Sequence, residues 1–141
     1  MVQHSGKLIS ILNKSAQIYL GKALKPYDIS AAEASVLLTL YTKDGVTQDD
    51  LATHLFLDKS AITRLIQSLL SKNYIIRKKD EHDLRCNRIY ITKHALAIKG
   101  PIHKALDSWN HILMNSFTYA EQEKIYALLE RMVENIKGEN K

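Results

Sequence analysis

Apolar positions recur every three to four residues along most of this chain, and every second residue in one short stretch. Leu8, Ile11, Leu12, Ser15 and Ile18-Tyr19 keep helical spacing, which predicts an amphipathic helix from about Lys7 to Leu24, closed by Pro26. Ser30-Ala31-Ala32-Glu33 is a capping-box pattern that opens a second helix carrying Val36, Leu37, Leu40 and Tyr41. Asp44-Gly45 turns the chain, and Thr47-Gln48-Asp49-Asp50 caps a shorter helix with Leu51, Ala52 and Leu55. Asp58 caps a fourth helix, Lys59 to about Ser71, with apolar Ile62, Leu65, Ile66, Leu69 and Leu70.

The period then changes. Tyr74 to Lys79 is short and ends in a basic run, and Arg88-Ile89-Tyr90-Ile91-Thr92 alternates and is β-branched, so both read as strands. Asp80 to Asn87 between them is polar, the makings of a hairpin tip. Thr92 caps a long helix to about Phe117, which Gly100-Pro101 can kink or interrupt. Thr118-Tyr119-Ala120-Glu121 is another capping box. It opens a terminal helix with Ile125, Leu128, Leu129, Met132, Val133 and Ile136 on one stripe. The predicted order is α-α-α-α-β-β-α-α, a mainly α (α+β) class.

Composition narrows the partner. The 141 residues are 45% hydrophobic, enough for one domain with a core. No apolar run approaches the ~18 residues of a membrane span. The polar Met1 to Lys7 has no signal-peptide core, so cytoplasmic location and no membrane partner are expected. The single Cys86 cannot form an internal disulfide, which suits a reducing compartment. The net charge is +5, and its placement is uneven. Lys59 to Lys93 holds nine Lys/Arg against three Asp/Glu, while the rest holds eleven against twelve. The whole basic surplus lies in one contiguous quarter, the footprint expected for a polyanion.

Two short helices joined by a tight turn and followed by a basic hairpin predict a winged helix-turn-helix. On the fourth helix, Ser60, Thr63, Arg64, Gln67 and Ser71 fall on one stripe. They are hydroxyls, an amide and an arginine without a carboxylate, suited to base edges and phosphates in a major groove, and Lys59 precedes them. In the hairpin, Asp83-Leu84-Arg85 places an arginine where it can enter a minor groove, with an aspartate able to hold its guanidinium. Arg77, Lys78, Lys79 and Arg88 flank that tip and are expected to face phosphates.

On these residues the chain resembles the multiple-antibiotic-resistance regulator (MarR) family over almost its whole length. The resemblance rests on the helix order, on Asp58 to Ile66 opening the fourth helix, and on Asp80-Glu81-His82-Asp83-Leu84-Arg85 running to Ile89-Tyr90-Ile91-Thr92. Ile91 stands where the family usually has leucine, and Ala95 where it often has glycine. The resemblance implies one domain over 1–141, with a winged core at about 28–93 and dimerisation helices at about 5–25 and 94–138. It also implies a homodimeric, ligand-responsive repressor reading a pseudo-palindrome in double-stranded DNA. The apolar stripes of the first and last helices need partners, which independently favours a dimer.

Regulation is less legible, and no cofactor is assigned. His103, Asp107 and His111 lie at i, i+4 and i+8 and read first as an exposed or interfacial polar row, so no metal site is assigned; a zinc-responsive regulator is one alternative, with Glu33 or His4 as a further ligand. Cys86 reads first as an incidental small residue; the lesser reading is a redox sensor, whose pKa Arg85 and Arg88 beside it are expected to lower. Tyr19, Tyr41 and Trp109 are candidates to line an effector pocket, the effector itself being unidentified. A winged helix used as a protein-interaction module is a second alternative. An enzyme is not expected, because no phosphate loop, nucleophile elbow or H-E-x-x-H motif is present.

Overall fold

The computed structural model describes residues 3–139. The ends of the 1–141 span, and with them Met1 and Val2 of the polar N-terminal stretch, lie outside the described residues. The chain divides into two compact units, one up to Leu106 and one from Asp107 onward.

The first unit opens with helix α1, Ser5–Ala23, and a single 3-10 turn, Lys25–Tyr27, in which Pro26 is accommodated at the start. Helix α2 spans Ala31–Thr42, strand β1 Val46–Thr47 and helix α3 Gln48–His54. Helix α4 spans Lys59–Ser71, and strands β2, Ile75–Lys79, and β3, Asn87–Ile91, follow it. Helix α5, Lys93–Ala97, and the start of helix α6, Lys99–Met114, complete the unit.

The helix starts are set by local hydrogen bonds. The Ser30 hydroxyl accepts from the Glu33 amide at 3.1 Å while the Ser30 amide donates to Glu33 Oε1 at 3.0 Å. Thr47, Asp58 and Thr92 each accept from the amide three residues on. The expected long helix after Thr92 breaks at Ile98, so Pro101 falls in the first turn of α6, where a missing N–H costs nothing.

β1 was not anticipated, because two residues carry no period-2 signal. It makes the sheet three-stranded and antiparallel, in the order β1-β3-β2. Val46 pairs with Ile89 on one side of the central strand, and Arg77 pairs with Ile89 on the other. Gly45 makes this possible. Its φ is +75°, and a Cβ there would sit 2.7 Å from the Tyr90 ring. The turn is locked to β3 by Gly45 N–H donating to the Ile89 carbonyl and Ile91 N–H donating to Asp44 Oδ1, both at 2.9 Å.

Leu37 and Leu40 of α2, Leu51 of α3, Ile62, Ile66 and Leu69 of α4, Ile75, Ile89 and Ile102 are all under 2% exposed and form the core. Along β2 only Ile75 is buried, and residues 76–79 leave the core as the base of the hairpin.

The second unit contains the end of α6 and helix α7, Tyr119–Glu139. Its capping box forms as predicted: the Thr118 amide donates to Glu121 Oε1 at 2.9 Å, and Thr118 Oγ1 accepts from the Glu121 amide at 3.2 Å. The apolar stripe on α7, Leu128, Leu129, Met132, Val133 and Ile136, is exposed in the single chain. In the first unit Leu8, Ile11, Leu12 and Ile18 of α1 are likewise exposed, Leu8 and Ile18 by more than 60%.

Candidate nucleic-acid interface

α4 is amphipathic, and its buried residues decide what it presents. Ile62, Ile66 and Leu69 turn inward. Lys59, Ser60, Arg64, Gln67 and Ser71 are therefore exposed, and Thr63 is half-buried at the edge of the stripe. The stripe read from the sequence exists as a surface, with no carboxylate on it.

The helix is held in place by polar contacts the sequence reading missed. Gln48 Nε2, on the first residue of α3, donates to Thr63 Oγ1 at 3.1 Å. Glu33, only 5% exposed, receives Ser68 Oγ of α4 at 2.9 Å and Lys72 Nζ at 3.0 Å on each carboxylate oxygen. Burial pushes the Glu33 carboxyl up, but the Ser30 amide, Lys72 and Ser68 outweigh it and leave its pKa below the ordinary value. As a capping-box residue Glu33 was legible. Its second role depends on where α4 packs. With its oxygens so engaged, Glu33 is not available as the further metal ligand considered above.

α3 and α4 are joined by a turn that closes as a Schellman motif. The Phe56 amide donates to the Thr53 carbonyl and the Leu57 amide to that of Ala52. Phe56 takes the left-handed conformation, φ 55°, where glycine is usual. α4 ends in the same way, with Asn73 at φ 64°.

The wing tip is built on two aspartates. The Asp80 carboxylate accepts from the His82 amide at 3.0 Å, and Asp83 Oδ1 accepts from the Arg85 amide at 3.1 Å. Asp83 also receives Arg85 Nε at 3.0 Å and Nη2 at 3.2 Å, a bidentate pair. The bonds from Arg85, side chain and backbone, hold the Asp83 carboxyl below its usual range. The Arg85 side chain nevertheless remains 90% exposed, so the clamp orients the guanidinium without hiding it.

The flanking cations do not act as one group. Paired residues in an antiparallel sheet share a face, and neighbours alternate. Lys78 pairs with Arg88 and shares its face, whereas Arg77 lies on the other. Lys78 Nζ sits 5.6 Å from the centroid of the Tyr90 ring. Arg88, expected to face phosphate, also has partners within the chain. Its Nη1 donates to the Gly45 carbonyl at 2.7 Å and its Nη2 pairs with Asp80 at 3.2 Å. It braces the wing against the α2–β1 turn with two of its five N–H donors, its side chain remaining 39% exposed.

Cys86 corrects another expectation. Burial and the nearby carboxylates of Asp83, Asp49 and Asp80 push its thiol up, not down. Sγ lies 3.7 Å from Asp83 Oδ2, while the two arginines expected to activate it are turned to aspartates.

Of the aromatic residues considered for an effector pocket, Tyr41 donates its hydroxyl to the Ala95 carbonyl. Burial raises its pKa to about 12. A cleft of about 620 Å³ lies elsewhere in the first unit, lined by α2 and α3 residues including Leu38, Thr42, Asp50 and His54. Tyr19, Tyr41 and Trp109 are not among its lining residues. Among the described residues, no group of three or more His, Cys, Asp or Glu is arranged to hold a metal ion, and His103, Asp107 and His111 are all exposed.

A helix-turn-helix of α3 and α4 followed by the β2–β3 hairpin defines the winged helix-turn-helix class. Residues 29–87 match the MarR family. Over 92% of its length the chain is 36% identical to a MarR transcriptional regulator from Methanosarcina mazei Go1, covering 94% of that structure at a TM-score of 0.88. It therefore belongs to the MarR family. Over 100 residues, 71% of this chain, it is 29% identical to the HTH-type transcriptional regulator SarZ of Staphylococcus aureus strain USA300. It spans 65% of the length of that curated relative. It is also similar to a mutant MarR from E. coli complexed with operator DNA, with 27% identity, 91% and 92% of the two chains covered, and a TM-score of 0.82.

Proposed function

We propose that this protein is a sequence-specific transcriptional regulator, not an enzyme, that binds double-stranded DNA as a homodimer and represses by occupying an operator. One observation carries the reading: an exposed, carboxylate-free stripe of Ser60, Arg64 and Gln67 on α4 stands in the same unit as a wing whose Arg85 is clamped by Asp83 yet 90% exposed. Relatives named as transcriptional regulators, and one solved with operator DNA, support it.

In this reading α4 enters the major groove, with Lys59 on phosphate and Ser60, Thr63, Arg64 and Gln67 on base edges. Arg85 reaches the minor groove, whose narrow A·T-rich segments attract a presented guanidinium. Arg77 and Lys78 supply phosphate contacts and hence affinity without sequence information. Asp83 and Arg88 act through others, holding Arg85 and the wing base.

The homodimer rests on the exposed apolar rows of α1 and α7, which a second copy would cover. A two-fold dimer reads a pseudo-palindrome with half-sites about one turn, roughly 34–36 Å, apart. The cleft of about 620 Å³ is of a size that suits a small effector whose binding releases the DNA. No described helix is long and apolar enough to cross a membrane; a cytoplasmic location is part of the proposal and fits the proposed DNA partner.

Selection from a random duplex pool tests the proposal. An enriched inverted repeat with half-sites one turn apart is the expected result. Binding that enriches nothing and disappears uniformly in moderate salt would leave only a basic surface and refute base readout.

A further inference from the structure

Four hydroxyls on this chain's helices turn back on their own backbone. Ser35, Thr39, Thr42 and Ser71 each donate to a carbonyl three or four residues earlier, at 2.8–3.3 Å. Such a hydroxyl has spent its only hydrogen. Thr63 is different. Among the described residues its hydroxyl donates to no group of the chain, and its oxygen accepts from Gln48 Nε2 at 3.1 Å.

That single contact constrains the chemistry Thr63 offers. A hydroxyl has one hydrogen and two lone pairs. The Gln48 amide takes one lone pair and polarises the O–H, which makes it a better donor. If Thr63 then accepted a second bond from its ligand, its hydrogen would be left without a partner in a closed interface, which is costly. The favourable arrangement is for Thr63 to donate.

We infer that Gln48, although it touches no base itself, is a specificity-determining positioning residue that commits Thr63 to reading a hydrogen-bond acceptor. The inference rests on the base-reading role proposed above for α4. In the major groove guanine offers N7 and O6, adenine N7 and thymine O4, whereas cytosine offers only its N4 donor. Thr63 therefore discriminates against cytosine at one position of each half-site.

Gln48→Glu reverses the polarity. A carboxylate can only accept, so it takes the Thr63 hydrogen and leaves Thr63 with lone pairs alone. The readable edges become cytosine N4 and adenine N6.

Pool selection with wild type, Gln48→Glu and Thr63→Val, each checked by thermal melting, provides the test. Wild type is expected to disfavour cytosine about three- to tenfold at one position per half-site, the worth of one neutral hydrogen bond. Gln48→Glu should move the preference at that position alone to cytosine or adenine. Thr63→Val should erase it in both backgrounds. If the glutamate variant fails to fold, the near-isosteric Gln48→Met should still relax the discrimination at that position to less than about twofold. A uniform loss of affinity with base preferences unmoved would overturn the inference, because Thr63 would then be meeting phosphate or merely packing. A wild-type protein that enriches no sequence would instead bring down the base-reading role itself.

Discussion

Lys72→Met tests the idea that a buried ion pair fixes α4 against α2. The substitution keeps length and apolar contact but removes the charge. It leaves the Glu33 carboxylate, 5% exposed, with the Ser30 amide and Ser68 hydroxyl as its remaining donors. Breaking a fully buried pair costs about 3–5 kcal/mol. Here the Lys72 side chain is 23% exposed and two donors survive, so the expected loss at pH 7 is smaller, about 1–3 kcal/mol. For a chain of this length that lowers the melting temperature by about 3 °C per kcal/mol.

The pH dependence gives the decisive signature. In the wild type the Glu33 pKa is below its usual 4.5, so its contribution is complete above that value and is lost as pH falls through the folded pKa. Without Lys72, burial is opposed only by the Ser30 amide and the Ser68 hydroxyl, so the folded pKa rises relative to wild type. Protonation then costs the variant less than it costs wild type. The gap between wild type and variant should shrink as pH falls from 7 to 4, measured by urea or thermal unfolding at fixed protein concentration. In the Glu33→Gln background Lys72→Met should cost much less than it does alone. A gap that stays constant across this range, or that is below about 0.5 kcal/mol at pH 7, would refute the reasoning.

Arg85→Ala should leave the melting temperature unchanged while weakening DNA binding and lowering the slope of log affinity against log salt by about one; an unaltered slope in a filter-binding titration would remove the wing-tip contact. Gly45→Ala should destabilise by more than about 2 kcal/mol, because a left-handed alanine costs about 1–2 kcal/mol and its Cβ would meet Tyr90 at 2.7 Å. A thermal shift below 2 °C would show the turn to be more permissive than argued. Leu129→Glu, in the exposed row of α7, should yield monomers in sedimentation at micromolar concentration; an intact dimer would place the interface elsewhere.

What the chain alone determined is what local chemistry controls. The capping patterns at Ser30, Thr47, Asp58, Thr92 and Thr118 placed five helix starts, because each is a bond between residues three apart. The Asp83–Arg85 clamp was readable for the same reason, its partners being two residues apart. The α4 stripe followed from helical periodicity. Features joining distant segments were not readable. β1 is two residues long and exists only because β3 passes beside it and the ring of Tyr90 demands a glycine at 45. Glu33 meets Ser68 and Lys72 across 35 and 39 residues, and Gln48 meets Thr63 across 15, so no spacing rule announces either. Arg88 reads as one more surface cation until Asp80 and the Gly45 carbonyl, 43 residues away, are found beside it. Cys86 shows the same division. Sequence neighbours offered two arginines beside the thiol, but a pKa answers to burial and to the charges nearest in space, and around Cys86 burial and the carboxylates of Asp83, Asp49 and Asp80 prevail.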